Sequence, residues 1–318
     1  MFKNKKIAVV VPCHNEELLI GRVIETLPKY VDAVYVVDDA STDKTVAAVE
    51  GYRKLKAFNK KLFLVVLPEN QGVGAAIVAG YKKASLDNMD IVAVMAGDAQ
   101  MDPDDLEAIL LPIAEDKADY TKGNRLFYGD AWRIIPTYRL IGNSFLSLLT
   151  KFSSGYWHLA DSQTGYTAIS KKVIDLLPLD KLYRRYGYPN HILAMLNVYN
   201  CRVQDVPVRP VYNIGEVSEI RLWKVIPTLS WLLLQNFVWR MREKYVFRDF
   251  HPLVFFYALG VILFFASLVL GARLLWVWQL NGEIPSINAL ALLFTVITSF
   301  QSLFFAMWFD MDYNRPLR

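Results

Sequence analysis

Two long apolar segments in the last third of the chain restrict its fold more than any other feature. Residues 253–270 are almost unbroken Leu, Val, Phe, Ile and Ala, and the segment extends to Trp276 if Arg273 reaches the interface. Residues 287–309 form a second segment of similar length, and the short link at 279–286 permits only a hairpin. Neither segment carries the polar stripe of a helix packed in a soluble core, so both are predicted to cross a membrane as helices.

Basic residues lie at the two outer ends of the hairpin and are absent from the link between its helices. The link carries Glu283 as its one charge, whereas the outer flanks carry Arg240, Arg242, Lys244, Arg248, Arg315 and Arg318. Because Lys and Arg favour the cytoplasmic side, both ends of the chain and its large N-terminal part are expected in the cytoplasm, at the cell (inner) membrane. Residues 2–6 lead into a strand without a signal-peptide apolar region, so export of this part is not expected.

A third apolar block, residues 222–241, differs from the two spans. It is interrupted by Pro227 and carries three tryptophans together with basic residues. This pattern suits an amphipathic helix in the headgroup layer, and a helix packed on the globular part is the alternative. The chain is therefore expected to comprise a cytoplasmic domain (1–221), an amphipathic juxtamembrane segment (222–250) and a transmembrane hairpin (251–318).

Composition disfavours several classes of protein. The 318 residues are 54% hydrophobic with a mean hydropathy of +0.23, which is too apolar for an ordinary soluble enzyme and too charged for a transporter. The net charge of +4 is concentrated near the apolar segments and favours anionic lipid headgroups, and no basic-aromatic pattern indicates nucleic acid. Cys13 and Cys201 are the only cysteines, which suits a reducing compartment and argues against a disulfide framework.

The N-terminal part alternates short apolar blocks with helical patterns. Strands are expected at residues 7–11, 33–37, 62–67 and 91–95, each followed by a polar loop and a helix. This alternation predicts an α/β fold, a mostly parallel sheet flanked by helices, with the loops gathered at one edge. Gly72 and Gly74 have the wrong position and spacing for a dinucleotide-binding loop and are interpreted as close packing at a helix start. The motifs of phosphate-loop ATPases, HExxH metalloproteases and GxSxG hydrolases are absent.

A lone aspartate follows the fourth strand in the segment Met95-Ala96-Gly97-Asp98-Ala99-Gln100-Met101-Asp102-Pro103. In an open α/β sheet, ligands bind beyond the carboxyl ends of the strands. A carboxylate at that place can hold a divalent cation against a diphosphate. The alternative for Asp98 is that it caps the helix opened by Pro103.

Six motifs between residues 6 and 218 resemble, in their order, those of a known family. They are Val11-Pro12-Cys13-His14-Asn15-Glu16-Glu17, Val37-Asp38-Asp39-Ala40-Ser41-Thr42-Asp43, Asn70-x-Gly72-x-Gly74, Asp98-Ala99-Gln100-Met101-Asp102-Pro103, Lys122-Gly123-Asn124-Arg125 and Asp161-Ser162-Gln163-Thr164-Gly165-Tyr166. The chain resembles the inverting family 2 glycosyltransferases, and among them the polyprenyl-phosphate glycosyltransferases similar to dolichol-phosphate mannose synthase. The resemblance implies a GT-A type nucleotide-sugar-binding domain, followed here by an interfacial helix and two transmembrane helices.

The resemblance also assigns donor-binding roles to individual residues. The residues expected to bind the nucleotide sugar are Pro12, His14, Glu16, Asp39, Asp98 and Gln100. The first three would line the base and ribose pocket, and Asp39 would accept hydrogen bonds from the nucleotide. Asp98 would bind Mg²⁺ or Mn²⁺ on the donor diphosphate with Gln100 beside it, which moves the helix-cap role to Asp102. The cation would neutralise the leaving nucleoside diphosphate.

The acceptor end involves arginines and one further carboxylate. Arg125 matches an arginine that the family uses on phosphate, and Arg133 or Arg139 could supply a second cation for the acceptor phosphate. A lipid monophosphate is already ionised near neutral pH and needs little help from a base, whereas a sugar hydroxyl needs one. Asp161 is the best candidate base by family position, and its alternative role is to order the acceptor loop. His191 is either a substitute polar contact or a satisfied, partly buried histidine. The expected catalytic residues are Asp98, Arg125 and Asp161.

These roles imply an inverting, nucleotide-sugar-dependent hexosyltransferase that moves one sugar from a UDP- or GDP-linked donor to a membrane lipid, foremost polyprenyl phosphate. Two departures from the family pattern keep alternatives open. Ala96 stands where the first acid of an acid-x-acid element is usual, and Asn213 with residues 216–219 replaces the arginine and Gly-Glu-Ser-Lys of lipid-phosphate transferases. The alternatives are transfer to a glycolipid hydroxyl and a catalytically silent nucleotide-sugar-binding scaffold at the membrane. The sequence leaves the sugar, the nucleotide and the oligomeric state open, a homo-oligomer included.

Overall fold

The computed structural model describes residues 1–127, 137–211 and 222–318, without the side chains of residues 137–141, 143 and 222–226. The chain divides into two compact units, Met1–Val238 with Leu317–Arg318, and Trp239–Pro316. The first unit contains a sheet with its helices, and the second contains two long apolar helices. The six motifs lie in the first unit and both predicted spans lie in the second.

The sheet of the first unit has seven strands among the residues described. They are β1 (Ile7–Cys13), β2 (Ala33–Asp38), β3 (Leu62–Val66), β4 (Ile91–Val94), β5 (Tyr120–Asn124), β6 (Thr167–Ser170) and β7 (Val203–Pro207). Their order across the sheet is β3-β2-β1-β4-β6-β5-β7. Neighbouring strands are parallel except at β6, which is antiparallel to both β4 and β5. The predicted mostly parallel sheet is confirmed, and the antiparallel β6 is an addition to it.

Helices connect and cover the strands. They are α1 (Ile20–Thr26), α2 (Thr45–Arg53), α3 (Val73–Leu86), α4 (Leu106–Ala114), α5 (Thr137–Ser154), α6 (Lys171–Leu176), α7 (Tyr188–Val198) and α8 (Leu222–Arg242). Short 3-10 turns occupy Pro103–Asp105, Arg125–Phe127 and Leu179–Lys181. Each of the first four strands ends in a loop that leads to a helix, as crossovers between parallel strands require.

Branched apolar residues place β1, β2 and β4 in the interior of the sheet. Every residue of these three strands is buried, which is the pattern of a strand covered by helices on both faces. Gly80 lets α3 approach β1 closely, because an added Cβ would lie 2.3 Å from Cγ1 of Val10. The strands therefore form a packed scaffold, and the loops at their carboxyl ends carry the polar motifs.

The helix α8 contains residues 222–241, the third apolar block. The sequence left two interpretations of it, a helix in the headgroup layer and a helix packed on the globular part. Leu232 packs against Gly187, where an added Cβ would lie 2.3 Å from its Cδ2, and Leu229 and Leu233 are also buried. The exposed face carries Trp231, Leu234 and Val238. One face of this helix is thus a packing face, and the other presents large apolar side chains as an interfacial helix does.

The second unit contains a helical hairpin formed by α9 (Leu253–Asn281) and α10 (Ser286–Tyr313). Both helices are long and apolar enough to cross a membrane. Gly282 ends α9 with a φ of +70°, the left-handed conformation that glycine adopts without strain. Gly260 lets the helices approach, since Ser299 Oγ donates to its carbonyl at 2.8 Å and an added Cβ would lie 2.7 Å from Leu303. The two long helices and their short link agree with the prediction.

Candidate active site

The loops after β1, β2 and β3 meet at His14. Its Nδ1 donates to the backbone carbonyl of Asp39 at 2.8 Å, since a carbonyl can only accept. Its Nε2 therefore accepts from the side-chain amides of Asn15 at 3.3 Å and Asn70 at 3.2 Å. The orientation of the imidazole is fixed by these contacts, and three loops are held together beside the carboxyl end of β1.

Asp39 holds the loop that precedes α3. Its buried carboxylate accepts from the backbone N–H groups of Gln71 at 2.8 Å and Gly72 at 2.7 Å. Each carboxylate oxygen can accept a second hydrogen bond, so these contacts leave room for the predicted contact with the nucleotide. That contact stays a prediction. The described contact shows a role in shaping the loop.

Backbone carbonyl groups of Tyr183 and Arg184 occupy the space beside the N-terminus of α3. Gly74 donates its N–H to the carbonyl of Arg184 at 2.7 Å. An added Cβ on Gly74 would lie 2.3 Å from the carbonyl oxygen of Tyr183. Gly72, just before the helix, has a φ of +97°, which favours glycine. The interpretation of these glycines as packing residues at a helix start is confirmed.

Asp98 lies in a tight loop after β4. Its Oδ1 accepts from the N–H of Gln100 at 3.0 Å, and Ala99 between them has a φ of +55°, a conformation that residues with a Cβ seldom adopt. Gly97 donates its N–H to the carbonyl of Pro12 at 3.0 Å. The loop therefore places Asp98 next to the motif that follows β1, and its strained residue lies at the site itself.

Carboxylates converge at this point. Burial, followed by the charges of Asp98 and Asp43, raises the pKa of Glu16 to about 7. Asp43 accepts from the N–H of Thr45 at 2.9 Å and from its hydroxyl at 2.6 Å, at the start of α2. A region in which carboxylates oppose the ionisation of one another is one that a divalent cation would stabilise.

The donor set fits a metal ion only in part. Among the residues described, no group of three or more His, Cys, Asp or Glu side chains is arranged to hold a metal ion. Ala96 adds no ligand at the place of the first acid. Mg²⁺ is commonly held by one or two carboxylates together with substrate phosphates. Asp98, with Gln100 and Glu16 nearby, thus fits a cation shared with a diphosphate donor and does not fit an all-protein cage.

Asp102 is the helix cap, as predicted. Its Oδ1 accepts from the N–H of Asp104 at 3.0 Å, at the start of the turn Pro103–Asp105. Its carbonyl accepts from the hydroxyl of Tyr166 at 3.0 Å. This second contact ties the loop that carries Asp98 to the motif at residues 161–166.

Arg125 and Asp161 form a bidentate ion pair. Nε of Arg125 donates to Oδ2 of Asp161 at 2.7 Å, and Nη2 donates to Oδ1 at 3.1 Å. The carboxylate is 1% exposed and the guanidinium side chain 22% exposed, so only Arg125 reaches solvent. Burial raises the pKa of Asp161, but the charge and hydrogen bonds of Arg125 outweigh burial and lower it. A buried carboxylate with both oxygens bonded and a lowered pKa is a poor proton acceptor, so the geometry favours the ordering role.

Buried polar contacts fix the rest of this motif. Gln163 Nε2 donates to Oδ1 of Asn190 at 3.0 Å, and Thr150 Oγ1 donates to the same oxygen at 2.9 Å. The neighbouring His191 accepts with Nδ1 from the N–H of Tyr183 at 2.9 Å, and burial lowers its pKa to about 4. His191 is therefore the satisfied, partly buried histidine of the two alternatives.

A buried charged cluster next to this ion pair was not singled out in the sequence. Lys122 is fully buried and donates to the carbonyl of Thr164, and burial lowers its pKa to about 8. Asp205 accepts from Asn124 Nδ2 at 2.7 Å and from the N–H of Ala160 at 2.8 Å. Burial raises the pKa of Asp205 to about 6, and its Oδ1 has no hydrogen-bond partner among the described residues. The sequence signal that could have revealed the cluster is a charged residue within each of two short strands, Lys122 in β5 and Asp205 in β7. Charged side chains are seldom buried unless they are paired.

Two of the predicted acceptor residues lie outside the description. Arg133 is not among the described residues, and Arg139 belongs to α5 without a described side chain. The structure brings the motifs of the predicted donor residues together at the ends of β1, β2 and β4, and it pairs Arg125 with Asp161. The binding of a nucleotide, a cation or an acceptor phosphate by these residues stays a prediction.

The fold and these motifs agree with a comparison against protein families. The family described as Glycosyl transferase family 2 matches residues 8–177, just over half of the chain. The chain belongs to this family. It is therefore a glycosyltransferase, as the sequence motifs implied.

Named relatives extend this result. The UDP-N-acetylglucosamine–dolichyl-phosphate N-acetylglucosaminyltransferase of Methanococcus voltae is 28% identical over 220 residues, 66% of this chain and 87% of the relative. The undecaprenyl-phosphate mannosyltransferase of Micrococcus luteus is 24% identical over 208 residues, 64% of this chain and 82% of the relative. This family 2 chain is thus similar to transferases named for lipid phosphates.

A solved structure confirms the fold. Glucosyl-3-phosphoglycerate synthase from Mycobacterium tuberculosis, in complex with Mn²⁺, UDP-glucose and phosphoglyceric acid, has a TM-score of 0.55 to this chain at 20% identity. The match covers 74% of this chain and 80% of the synthase. The synthase has also been crystallised with Mg²⁺ and UDP. The GT-A type α/β architecture expected from the motifs is confirmed.

Proposed function

We propose that this family 2 glycosyltransferase moves a single sugar, with inversion, from a nucleotide-sugar donor to polyprenyl phosphate in a membrane. The observation that carries the proposal is a family 2 domain in one chain with two helices long enough to span a bilayer. The relatives named for dolichyl phosphate and undecaprenyl phosphate support the acceptor class. Attachment to the bilayer concentrates the enzyme where a lipid-linked acceptor resides.

The donor end uses the loops after β1, β2 and β4. Pro12, His14 and Glu16 line the base and ribose pocket, and Asp39 accepts hydrogen bonds from the nucleotide. Asp98, with Gln100 beside it, holds Mg²⁺ or Mn²⁺. When bound there, the cation screens the charge of the leaving nucleoside diphosphate. The position at adjacent strand ends and the raised pKa of Glu16 support this assignment.

The acceptor end uses arginines. Asp161 fixes the planar guanidinium of Arg125, whose exposed part can bind a phosphate, and Arg133 and Arg139 supply further positive charge. A phosphate monoester is ionised near neutral pH, so its oxygen attacks the anomeric carbon as the bond to the nucleoside diphosphate breaks. No proton has to be removed from the acceptor in this step. The lowered pKa of Asp161 is consistent with an enzyme that does not need it as a base.

The membrane arrangement follows the basic flanks. The domain at residues 1–221 and both termini lie on the cytoplasmic side of the cell membrane, and α9 and α10 span it. Residues 222–250 form the juxtamembrane segment. The exposed Trp231, Leu234 and Val238 support its contact with the headgroup layer.

Nucleoside diphosphate release by the full-length protein in lipid vesicles tests this function. Each UDP- or GDP-linked hexose is supplied with Mg²⁺ or Mn²⁺, with and without polyprenyl phosphate. Release is expected to depend on polyprenyl phosphate and to fall about 100-fold or more in Asp98→Asn, because the cation loses its one firm protein ligand. Asp102→Asn is the matched control, since it changes the capping aspartate of the same segment and should leave turnover close to the parent.

Other outcomes identify the alternatives. Release that depends on a glycolipid without a phosphate monoester would replace polyprenyl phosphate by a hydroxyl acceptor. Nucleotide binding without release from any donor would show a silent scaffold. Unchanged activity of Asp98→Asn would show that the metal assignment is wrong.

A further inference from the structure

One amide side chain on α10 faces outward in the middle of the second apolar segment. Gln301 is exposed, and its side chain makes no hydrogen bond among the residues described. It lies eight residues before Phe309, the end of the predicted span, and thus about 12 Å inside that end at 1.5 Å per residue. Two other polar side chains in the middle of α10 have partners: the hydroxyl of Thr295 donates to the carbonyl of Ala291 at 2.9 Å, and that of Ser299 donates to the carbonyl of Gly260 at 2.8 Å.

Gln301 belongs to a continuous exposed stripe with regular spacing. Intervals of four and three residues alternate along this stripe, which consists of Leu290, Phe294, Ile297, Gln301, Phe304 and Trp308. This is the spacing at which two helices pack along each other in a left-handed pair. Side chains around Gln301 leave an apolar groove of about 610 Å³. The buried residues of α10, Ser299, Ser302, Ala306 and Asp310, occupy other positions.

Hydrocarbon cannot satisfy this amide. A primary amide has two donor hydrogens and an accepting oxygen, and leaving them unpaired at membrane depth is strongly unfavourable. The stripe therefore calls for an occupant that is apolar along its length and offers an amide or similar group at one level. A lipid chain meets the first requirement and fails the second.

A second copy of this chain meets both requirements by symmetry. Copies inserted in the same direction are parallel, and a twofold axis normal to the membrane brings each residue of a contacting stripe opposite to itself. We propose that α10 pairs with α10 of a second copy through this stripe, with the two Gln301 amides hydrogen-bonded across the axis. Like a polar core residue in a parallel coiled coil, Gln301 then sets the register of the pair. The proposal rests on the proposed membrane insertion and is independent of glycosyl transfer.

Self-association of the full-length protein in vesicles of phosphatidylethanolamine and phosphatidylglycerol tests this interface. Copies labelled at the N-terminus with donor and acceptor fluorophores are expected to show energy transfer that rises with the protein-to-lipid ratio. Gln301→Leu should require about a tenfold higher ratio for half-maximal transfer, as the loss of interhelical hydrogen bonds predicts. Gln279→Leu makes the same chemical change near the end of α9 and should leave the curve unchanged.

Cysteine cross-linking tests the face directly. Cys13 and Cys201 are buried, so an introduced cysteine is the accessible one. Phe304→Cys, one turn from Gln301 on the stripe, is expected to form a disulfide-linked dimer on mild oxidation in vesicles. Phe309→Cys makes the same chemical change at an exposed position about 140° around the helix from Phe304 and outside the groove, so it is the control and should cross-link far less.

The outcomes separate this proposal from the function. A protein that carbonate strips from the vesicles would overturn both the insertion and the pairing. An inserted protein with no energy transfer, or with equal transfer in Gln301→Leu, would overturn the pairing alone. So would equal cross-linking of Phe309→Cys and Phe304→Cys. Turnover is not read in any of these assays, so a failed glycosyl transfer assay would not affect the result.

Discussion

Glu16 is a residue at which ligand binding and folding make opposite demands. Burial and the charges of Asp98 and Asp43 raise its pKa to about 7 from an ordinary value of 4.5. The folded protein therefore holds this proton more tightly than the unfolded chain does. The contribution of Glu16 favours folding fully below about pH 4.5 and is lost as the pH rises through 7. A carboxylate that opposes folding at neutral pH is typical of a binding site.

Glu16→Gln should remove this pH dependence. We expect the variant to be more stable than the parent at pH 8 by about 1–2 kcal/mol, a value reduced for the solvent around a half-buried group. The two should be equally stable near pH 4, and the KM for the donor should rise in the variant. Denaturant unfolding in detergent between pH 4 and 8 measures the difference. Glu69→Gln, an exposed glutamate in the loop after β3, is the control, and the same pH dependence in parent and Glu16→Gln would contradict the expectation.

Asp161→Asn distinguishes an ordering carboxylate from a base. The ion pair with Arg125 holds the guanidinium by two hydrogen bonds, so we expect the KM for polyprenyl phosphate to rise while kcat changes less than tenfold. A general base would instead contribute about 100-fold or more to kcat. Steady-state kinetics against the acceptor separate the two, and a large loss of kcat with unchanged KM would show a base. Asp180→Asn, which alters the exposed pair with Lys82, should change neither constant.

At the scale of elements, the N-terminal strands were predictable because their order is local. The apolar blocks at residues 7–11, 33–37, 62–67 and 91–95 correspond to β1 to β4, with ends shifted by at most two residues. The polar loops of the donor motifs follow the same strands, so their gathering at one edge was predictable as well. The antiparallel β6 was not, since its neighbours β4 and β5 are set by long-range packing.

The charged cluster shows where sequence reasoning ended. Lys122 in β5 and Asp205 in β7 are 83 residues apart in sequence, and only the pairing of those strands brings them together. The contact between Arg125 and Asp161 depends likewise on the packing of a loop against the end of β5. The residues within each loop and the shared edge of the parallel strands could be predicted, whereas side-chain contacts that depend on the pairing of β5 with β7 or on loop packing could not.

The start of α3 offers a matched test of packing. Gly74→Ala would place a Cβ 2.3 Å from a backbone oxygen, which cannot move aside as a side chain can. We expect it to destabilise the protein by about 2–3 kcal/mol. Gly51→Ala, in the last turn of α2 with no atom within 4 Å of the added Cβ, should instead stabilise by up to about 1 kcal/mol. Thermal unfolding of both variants gives the comparison, and equal effects would contradict the packing role of Gly74.

At the scale of the molecule, the basic flanks of the hairpin are of two kinds. Arg240 is completely buried with Asp310, and Lys244 is buried with its Nζ 2.7 Å from Oδ1 of Asn314. These two residues were counted among the positive flanks, yet Arg240 is neutralised by its partner. The argument for a cytoplasmic orientation therefore depends on the exposed basic residues, which are Arg242, Arg248, Arg315 and Arg318.

The pair of Arg240 and Asp310 should control the stability of the hairpin unit. Its two hydrogen bonds, at 2.7 and 2.9 Å, join residues 70 positions apart, and Tyr245 donates to the same carboxylate at 2.5 Å. Asp310→Leu would leave a buried guanidinium without its counter-ion, which costs about 3–5 kcal/mol. The double variant Arg240→Met with Asp310→Leu should recover most of that loss, because replacing a whole buried pair by apolar side chains is often neutral. Thermal unfolding in detergent of the parent, both single variants and the double variant gives the coupling energy. Losses that simply add in the double variant would show that the two residues act independently, and the hairpin would then be held by its apolar contacts alone.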